Sequence, residues 1–169
     1  MIRFNAKIIA GRIAVLFPTS YSHAYFYFEL KELYMIPLSP VHFVPIFVTS
    51  CIYLALGTLW YSPWLFGPTW LKEMQLTREQ LRSPWLGSLA AFFMALLMSY
   101  ALSQFIILTN SYTLAQGACL GLWIGLGFIV PTLFSNVIWE KKSLKIYLIH
   151  VSLVLLFLMI SGSILSFWR

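Results

Sequence analysis

The sequence predicts an all-α integral membrane protein, a four-helix transmembrane bundle, on two observations. Apolar residues make up 60% of the chain and charged residues only 9%, against roughly 25% charged in ordinary globular domains. Charged residues are also absent from three long runs, residues 41–71, 85–139 and 146–168. Because one crossing needs about 20 apolar residues, these runs hold one, two and one crossings.

Proline and capping residues mark where the predicted helices begin and end. The first crossing ends before Pro63, since the residue preceding a proline is pushed out of the helical region. The third begins at Thr113, whose spacing to Gln116 is that of a capping box, and Pro131 predicts a kink within it. The connector around residues 68–74 is expected to lie along the membrane interface. The four crossings are expected at residues 41–61, 85–108, 113–139 and 144–168.

The first 34 residues differ from the rest of the chain. Their apolar run is broken by Arg12 and is too short to cross a bilayer. Met35 then opens a segment typical of the beginning of a membrane protein. We therefore expect an N-terminal extension over residues 1–34, poorly ordered or upstream of the true start, and a transmembrane domain over residues 35–169. An amphipathic surface helix near residues 25–34 is the alternative.

The distribution of basic residues predicts the orientation of the bundle. Six Lys and Arg residues lie in the first and third connectors and none lies in the second. Counted from Met35, the opposite side carries only Arg169, so the positive-inside rule places connectors 62–84 and 140–145 in the cytoplasm and both termini outside. Aromatic residues predict a belt at the same interface: Trp60, Tyr61, Trp64, Trp70, Trp85, Trp139 and Tyr147.

Small residues recur every four positions in the second and third crossings. Lipid tails are as apolar as leucine, so membrane helices associate through close backbone approach, which small residues permit. A three-residue turn makes these helices antiparallel neighbours, and we expect their small faces to pack against each other. A homodimer interface is the alternative. The two sets are Gly87, Ala91, Ala95, Ser99 and Ser103, and Gly117, Gly121 and Gly125.

Polar groups near the predicted cytoplasmic end of the third crossing are candidates for a site. Thr132, Asn136 and Glu140 are four residues apart and therefore share a helix face. His150 lies about 9 Å into the fourth crossing from the same side, level with Asn136. Polar groups inside a membrane are functional candidates by default. The structural alternative is that Asn136 and His150 hydrogen bond to each other or to a backbone carbonyl, with Glu140 an interfacial charge.

The sequence does not support a catalytic, metal-binding or haem-binding site. The chain has no aspartate, and no nucleophile is paired with a base at one depth, so no catalytic residue is assigned and an enzyme is not favoured. Cys51 and Cys119 have no metal-ligand spacing, and His42 and His150 lie at opposite ends of the bundle, which excludes haem between them. We expect no metal, cofactor or nucleic acid. The expected partners are the lipid bilayer and a second copy of the chain or another membrane protein.

The end of the first crossing carries the run GTLWYSPWLFGPTW, residues 57–70. This run resembles the signature of the DUF1761 family of small, uncharacterised membrane proteins, and the tail from residue 121 through the basic connector is similar to that family too. The likeness covers about Met35 to the C-terminus and implies a four-helix protein, expected in a bacterial cytoplasmic membrane, with no established activity. Trp139 stands where phenylalanine is usual, and His150 where asparagine is frequent. The signature positions are Trp60, Tyr61, Ser62, Pro63, Phe66, Gly67 and Trp70.

Two functions are compatible with these patterns. The first is a non-catalytic membrane protein, an accessory subunit or one concerned with envelope maintenance. The second is a small transporter or channel for a neutral or lipid-like solute, in which the polar cluster with Trp60 and Tyr61 would form a vestibule. Co-purification of a stoichiometric partner would favour the first, and solute flux in proteoliposomes would favour the second.

Overall fold

The structure, a computed structural model, describes residues 41–80 and 84–168 of the chain. The predicted extension of residues 1–34 lies outside the described residues. Within them the fold is all-helical, and four helices are long and apolar enough to cross a membrane, which confirms the predicted fold class. The helices are α1 (Phe43–Trp60), α2 (Gly67–Met74), α3 (Pro84–Leu108), α4 (Leu114–Ile124), α5 (Val130–Trp139) and α6 (Leu144–Phe167).

The helix ends follow from local hydrogen bonding. At the start of α4 the predicted capping box is confirmed: the Thr113 hydroxyl accepts from the Gln116 backbone N–H, and the Gln116 carboxamide accepts from the Thr113 N–H. At the end of α3, Asn110 adopts a left-handed conformation with a φ of 52°. The N–H of Ser111 then donates back to the Ile106 carbonyl at 3.1 Å. This bond satisfies one of the carbonyls that a helix end leaves unpaired.

The third crossing consists of α4 and α5 joined by a π-helical segment, Gly125–Ile129. The N–H of Val130 donates to the carbonyl of Gly125, five residues earlier. In an α-helix it would donate to the carbonyl four residues earlier. Pro131 follows at once. A proline has no N–H, and its ring clashes with the carbonyl four residues earlier, so a wider turn accommodates it. The interruption predicted at Pro131 therefore takes the form of a π segment.

Helix α6 lies at the centre of the bundle and contacts every other crossing. Of its most apolar window, 44% is buried, against 22% or less for the other three crossings. Helix α4 packs along α6, and α1 packs along α3, so the bundle is built from two main helix pairs. A buried apolar cluster joins the pairs through Ile46, Ala95, Leu102, Ile106, Phe157, Leu158 and Leu165.

The predicted pairing of the two small-residue faces is wrong. The glycines of α4 face α6: a Cβ on Gly117 would collide with the backbone carbonyl of Gly162, and one on Gly121 with the carbonyl of Leu158. A Cβ on Gly125 would meet the Leu155 side chain. A short turn brings only the ends of two helices together, so it does not fix which helix covers a glycine face. The small residues of α6 permit the closer approach.

The small residues of α3 face α1 instead. Ala95 and Ser99 are fully buried, and the Ser99 hydroxyl is 3.0 Å from the Thr49 hydroxyl of α1. Ser103 is also buried. Gly87 is exposed, with no atom within 4 Å of the position that a Cβ would occupy, and Ala91 is only half-buried. The face is therefore packed in its second half only.

Candidate functional site

The site lies at one end of the bundle, called here the connector end, where α1 ends, α2 lies and the α5–α6 connector turns. Residues 57–70 form its signature loop, which folds back on itself at the end of α1. The Phe66 N–H donates to the Trp60 carbonyl at 3.0 Å, and the Gly67 N–H to the Ser62 carbonyl at 3.1 Å. A Cβ on Gly67 would collide with the carbonyl of Tyr61 and lie 2.6 Å from that of Ser62. Only glycine fits this position.

The signature loop is attached to α6 by a hydrogen bond. The indole N–H of Trp60 donates to the Ile149 carbonyl at 3.0 Å, between residues 89 positions apart. The Trp60 ring also packs on Phe66, with ring centroids 4.9 Å apart. The bond places the last residue of α1 beside the first turns of α6.

Tyr61 occupies the space between the signature loop and α6. Its ring lies edge-to-face with Trp70, at a centroid distance of 5.5 Å, and with His150, at 6.2 Å. Tyr61 therefore contributes to this end of the bundle through the packing of its ring.

Next to these rings is a small cleft of about 70 Å³, large enough for a few water molecules. Asn136 of α5 and His150 of α6 both line it, so the structure brings these two predicted residues together. Within the described chain, however, no hydrogen bond joins their side chains. The cleft is lined by Met74, Leu133, Asn136, Val137, Lys142, Ile146, Tyr147 and His150.

The other two members of the predicted polar cluster lie outside the cleft lining. The Thr132 hydroxyl donates to the Phe128 carbonyl four residues earlier, within its own helix. Glu140 follows the end of α5 and forms an ion pair with Lys142 at 2.5 Å, and both side chains are about half exposed. Such exposed pairs contribute little to stability. Of the four predicted residues, only Asn136 and His150 face a common space.

A second ion pair at the connector end joins α2 to α6. The Lys145 ammonium lies 2.9 Å from the Glu73 carboxylate. A hydrogen bond from Ser143, the bond from Lys145 and the charges of Lys145 and Lys72 together lower the pKa of Glu73. Glu73 is therefore ionised at neutral pH, and α2 is held against the start of α6.

Sequence reasoning did not assign three residues of this end to the candidate site: Tyr147, Glu73 and Lys145. Tyr147 lines the cleft, lies edge-to-face with Phe134 at 5.3 Å, and its hydroxyl is 3.4 Å from the Val130 carbonyl. Its position three residues before His150 on one helix face could have identified it. The Glu73–Lys145 pair spans 72 positions, and no local pattern indicates a contact of that kind.

The chemistry available here is hydrogen bonding and charge. Within residues 41–80 and 84–168, no three His, Cys, Asp or Glu side chains come together as metal ligands do. The groups directed at the cleft are an amide, an imidazole and an ammonium, all of which can donate to an anion. In the same described ranges, the Ser62 hydroxyl and the Trp70 indole N–H are buried without a hydrogen-bond partner.

These features define a class of protein with four apolar helices long enough to span a membrane. At one end, an aromatic loop is hydrogen-bonded to the last helix, next to a cleft lined in part by polar side chains. The chain belongs to the family "Protein of unknown function (DUF1761)", whose model matches residues 44–166 and confirms the resemblance seen in the sequence. No curated protein and no solved structure matches the chain.

Proposed function

We propose that the chain is a non-catalytic accessory protein of the bacterial cytoplasmic membrane, with its connector end in the cytoplasm and its termini outside. The bond from Trp60 to the Ile149 carbonyl carries this proposal, because it fixes the signature loop to the central helix. A loop held in one conformation loses little entropy when a partner binds it. The six basic residues of the two connectors support the orientation.

The surface offered to a partner is the tip of the signature loop. Trp64 is 89% exposed, and the adjacent Leu65 and Phe66 are also exposed. Tryptophan is enriched among the residues that dominate binding energy at protein interfaces. The proposed partner is therefore another membrane protein that covers Trp64 at the membrane surface.

The test is purification of the tagged full chain from its host in mild detergent. Wild type and Trp139→Ala should retain a partner in fixed stoichiometry, and Trp64→Ala should lose it. Trp139 is the matched control, since it is 82% exposed at the same end but outside the signature loop. Equal retention by all three proteins, or no stoichiometric partner with any of them, would contradict the proposal.

A transporter or channel for a neutral or lipid-like solute is the second candidate, favoured by the cleft between α5 and α6, which Asn136 and His150 line together with apolar side chains. It predicts solute flux into proteoliposomes above that of empty vesicles, reduced by Asn136→Leu. Flux equal to that of empty vesicles would rule it out. Single-cysteine labelling in intact cells tests the orientation separately: a cysteine at Lys141 should react only after the cells are opened.

A further inference from the structure

Beyond the accessory role, we propose that the cleft at the connector end binds a phosphate group at the membrane surface, in the first instance that of an anionic phospholipid. The donors face a common space. Asn136, Lys142 and His150 all line the cleft, and each carries N–H groups that a phosphate oxygen accepts.

The two intramembrane donors are available to a ligand. In the described part of the chain, neither the Asn136 side chain nor the His150 side chain hydrogen bonds to another residue. At the level of the membrane interface, these two side chains can hydrogen bond to a ligand or to water. The cleft has room for either.

The surrounding charge favours an anion. The two connectors at this end, residues 62–84 and 140–145, carry six Lys and Arg residues and three Glu residues, which leaves a net charge of +3. Lys142 is paired with Glu140, but that pair is exposed on both sides and contributes little to stability. The Lys142 ammonium can therefore exchange its carboxylate for a phosphate oxygen at small cost.

The remaining wall of the cleft favours a lipid over a free ion. Leu133, Val137 and Ile146 are apolar side chains that line the same space as the donors. The cleft also lies at the level of the aromatic side chains of Trp60 and Tyr61, which mark the membrane interface. A phospholipid presents its phosphate at that level with acyl chains directed toward the apolar wall.

The experiment titrates the full chain, purified and delipidated in an uncharged detergent, and measures bound ligand by native mass spectrometry. The ligands are phosphatidylglycerol, diacylglycerol, which lacks phosphate, and inorganic phosphate. Lys142→Gln should weaken phosphatidylglycerol binding by about tenfold, because one charge-assisted hydrogen bond is lost. Lys72→Gln, which removes an exposed lysine at the same end but outside the cleft lining, should change it by less than about twofold.

A second variant tests the two donors on the crossings, Asn136 and His150. Asn136→Leu combined with His150→Phe keeps side-chain size and should abolish phosphatidylglycerol binding. If the double variant cannot be extracted in folded form, the Lys142→Gln variant alone tests the proposal. If inorganic phosphate competes with phosphatidylglycerol, phosphate is the recognised group. If inorganic phosphate binds with the same dependence on Lys142 but phosphatidylglycerol does not bind, the site belongs to a soluble phosphate. Diacylglycerol binding as tight as phosphatidylglycerol binding, or equal weakening by Lys142→Gln and Lys72→Gln, would overturn the proposal.

Discussion

The indole N–H of Trp60 donates a hydrogen bond to the backbone carbonyl of Ile149, at 3.0 Å. The same carbonyl is 3.2 Å from the Ser152 hydroxyl. A carbonyl inside an α-helix already accepts from the N–H four residues later, so Ile149 uses its remaining acceptor capacity to hold the end of another helix. The contact joins the first and last crossings at the point where the signature loop begins.

Trp60→Phe keeps the aromatic packing and removes this hydrogen bond. We expect it to lower the free energy of unfolding by about 1 kcal/mol, the scale of an interhelical hydrogen bond in a membrane protein. Thermal unfolding in detergent measures the change. Trp64→Phe is the matched control, because Trp64 is 89% exposed and no hydrogen bond involving its indole is present among the described residues. Equal loss of stability in both variants would mean that the bond contributes nothing.

Gly117→Ala should be far more damaging than Gly87→Ala, although both add one methyl group to a small-residue face. At Gly117 the methyl meets the backbone of Gly162, so α4 and α6 must separate, at a cost of about 1–3 kcal/mol. At Gly87 the space is open, and alanine should be neutral or stabilising by up to about 1 kcal/mol. Denaturant titration of the two variants compares them. A destabilised Gly87→Ala would indicate that a partner covers that face.

Gln75→Gly should stabilise the connector end. Gln75 ends α2 in a left-handed conformation with a φ of 54°, and Leu76 N–H bonds to the Leu71 carbonyl at 3.1 Å. Glycine adopts this conformation without the Cβ clash, which is worth about 1 kcal/mol. Gln75→Val, with a β-branched side chain, should shift stability the other way. The melting temperature should be highest with glycine at position 75, lower with the native glutamine and lowest with valine, and that order would confirm the geometry. A melting temperature of Gln75→Gly below that of the wild type would contradict it.

The Glu73–Lys145 contact predicts a loss of stability in acid. The pKa of Glu73 is lowered in the folded chain, so its contribution is fully present above the unfolded-state value of about 4.3. It declines as the pH falls below that value and is gone below the folded pKa. The protection factors of α2 amides, which correct for the intrinsic pH dependence of exchange, should therefore fall in acid, and Glu73→Gln should remove that fall. Glu79→Gln, at an exposed carboxylate, should leave it unchanged.

The bounds of the helices could be predicted from the sequence because the residues that determine them act locally. A proline after Ser62, a capping residue at Thr113 and long uncharged runs each act within a few positions, and the predicted crossings agree with the structure to within two residues. The level of Asn136 and His150 follows from helix rise alone, and the structure places both on one cleft.

What the sequence did not determine was which helix faces which. Gly117 and Gly121 mark a close contact, but small residues indicate close approach without naming the neighbour. Helix α6 also carries two small residues four positions apart, Gly162 and Ser166, and this spacing is the same as that of the small residues in α3. Ion pairs such as Glu73 with Lys145 depend on how the connectors fold, and charge patterns along the chain carry no information about contacts so far apart.

The π segment has a consequence for the cleft. A turn closed over five residues holds one residue more than an α-helical turn, so every side chain beyond Ile129 is rotated by about 100° from where an unbroken α-helix would place it. That rotation contributes to the direction of Asn136, which lines the cleft together with His150. Removing Gly127, which has open space around it, would restore a regular helix yet turn Asn136 away from the last crossing.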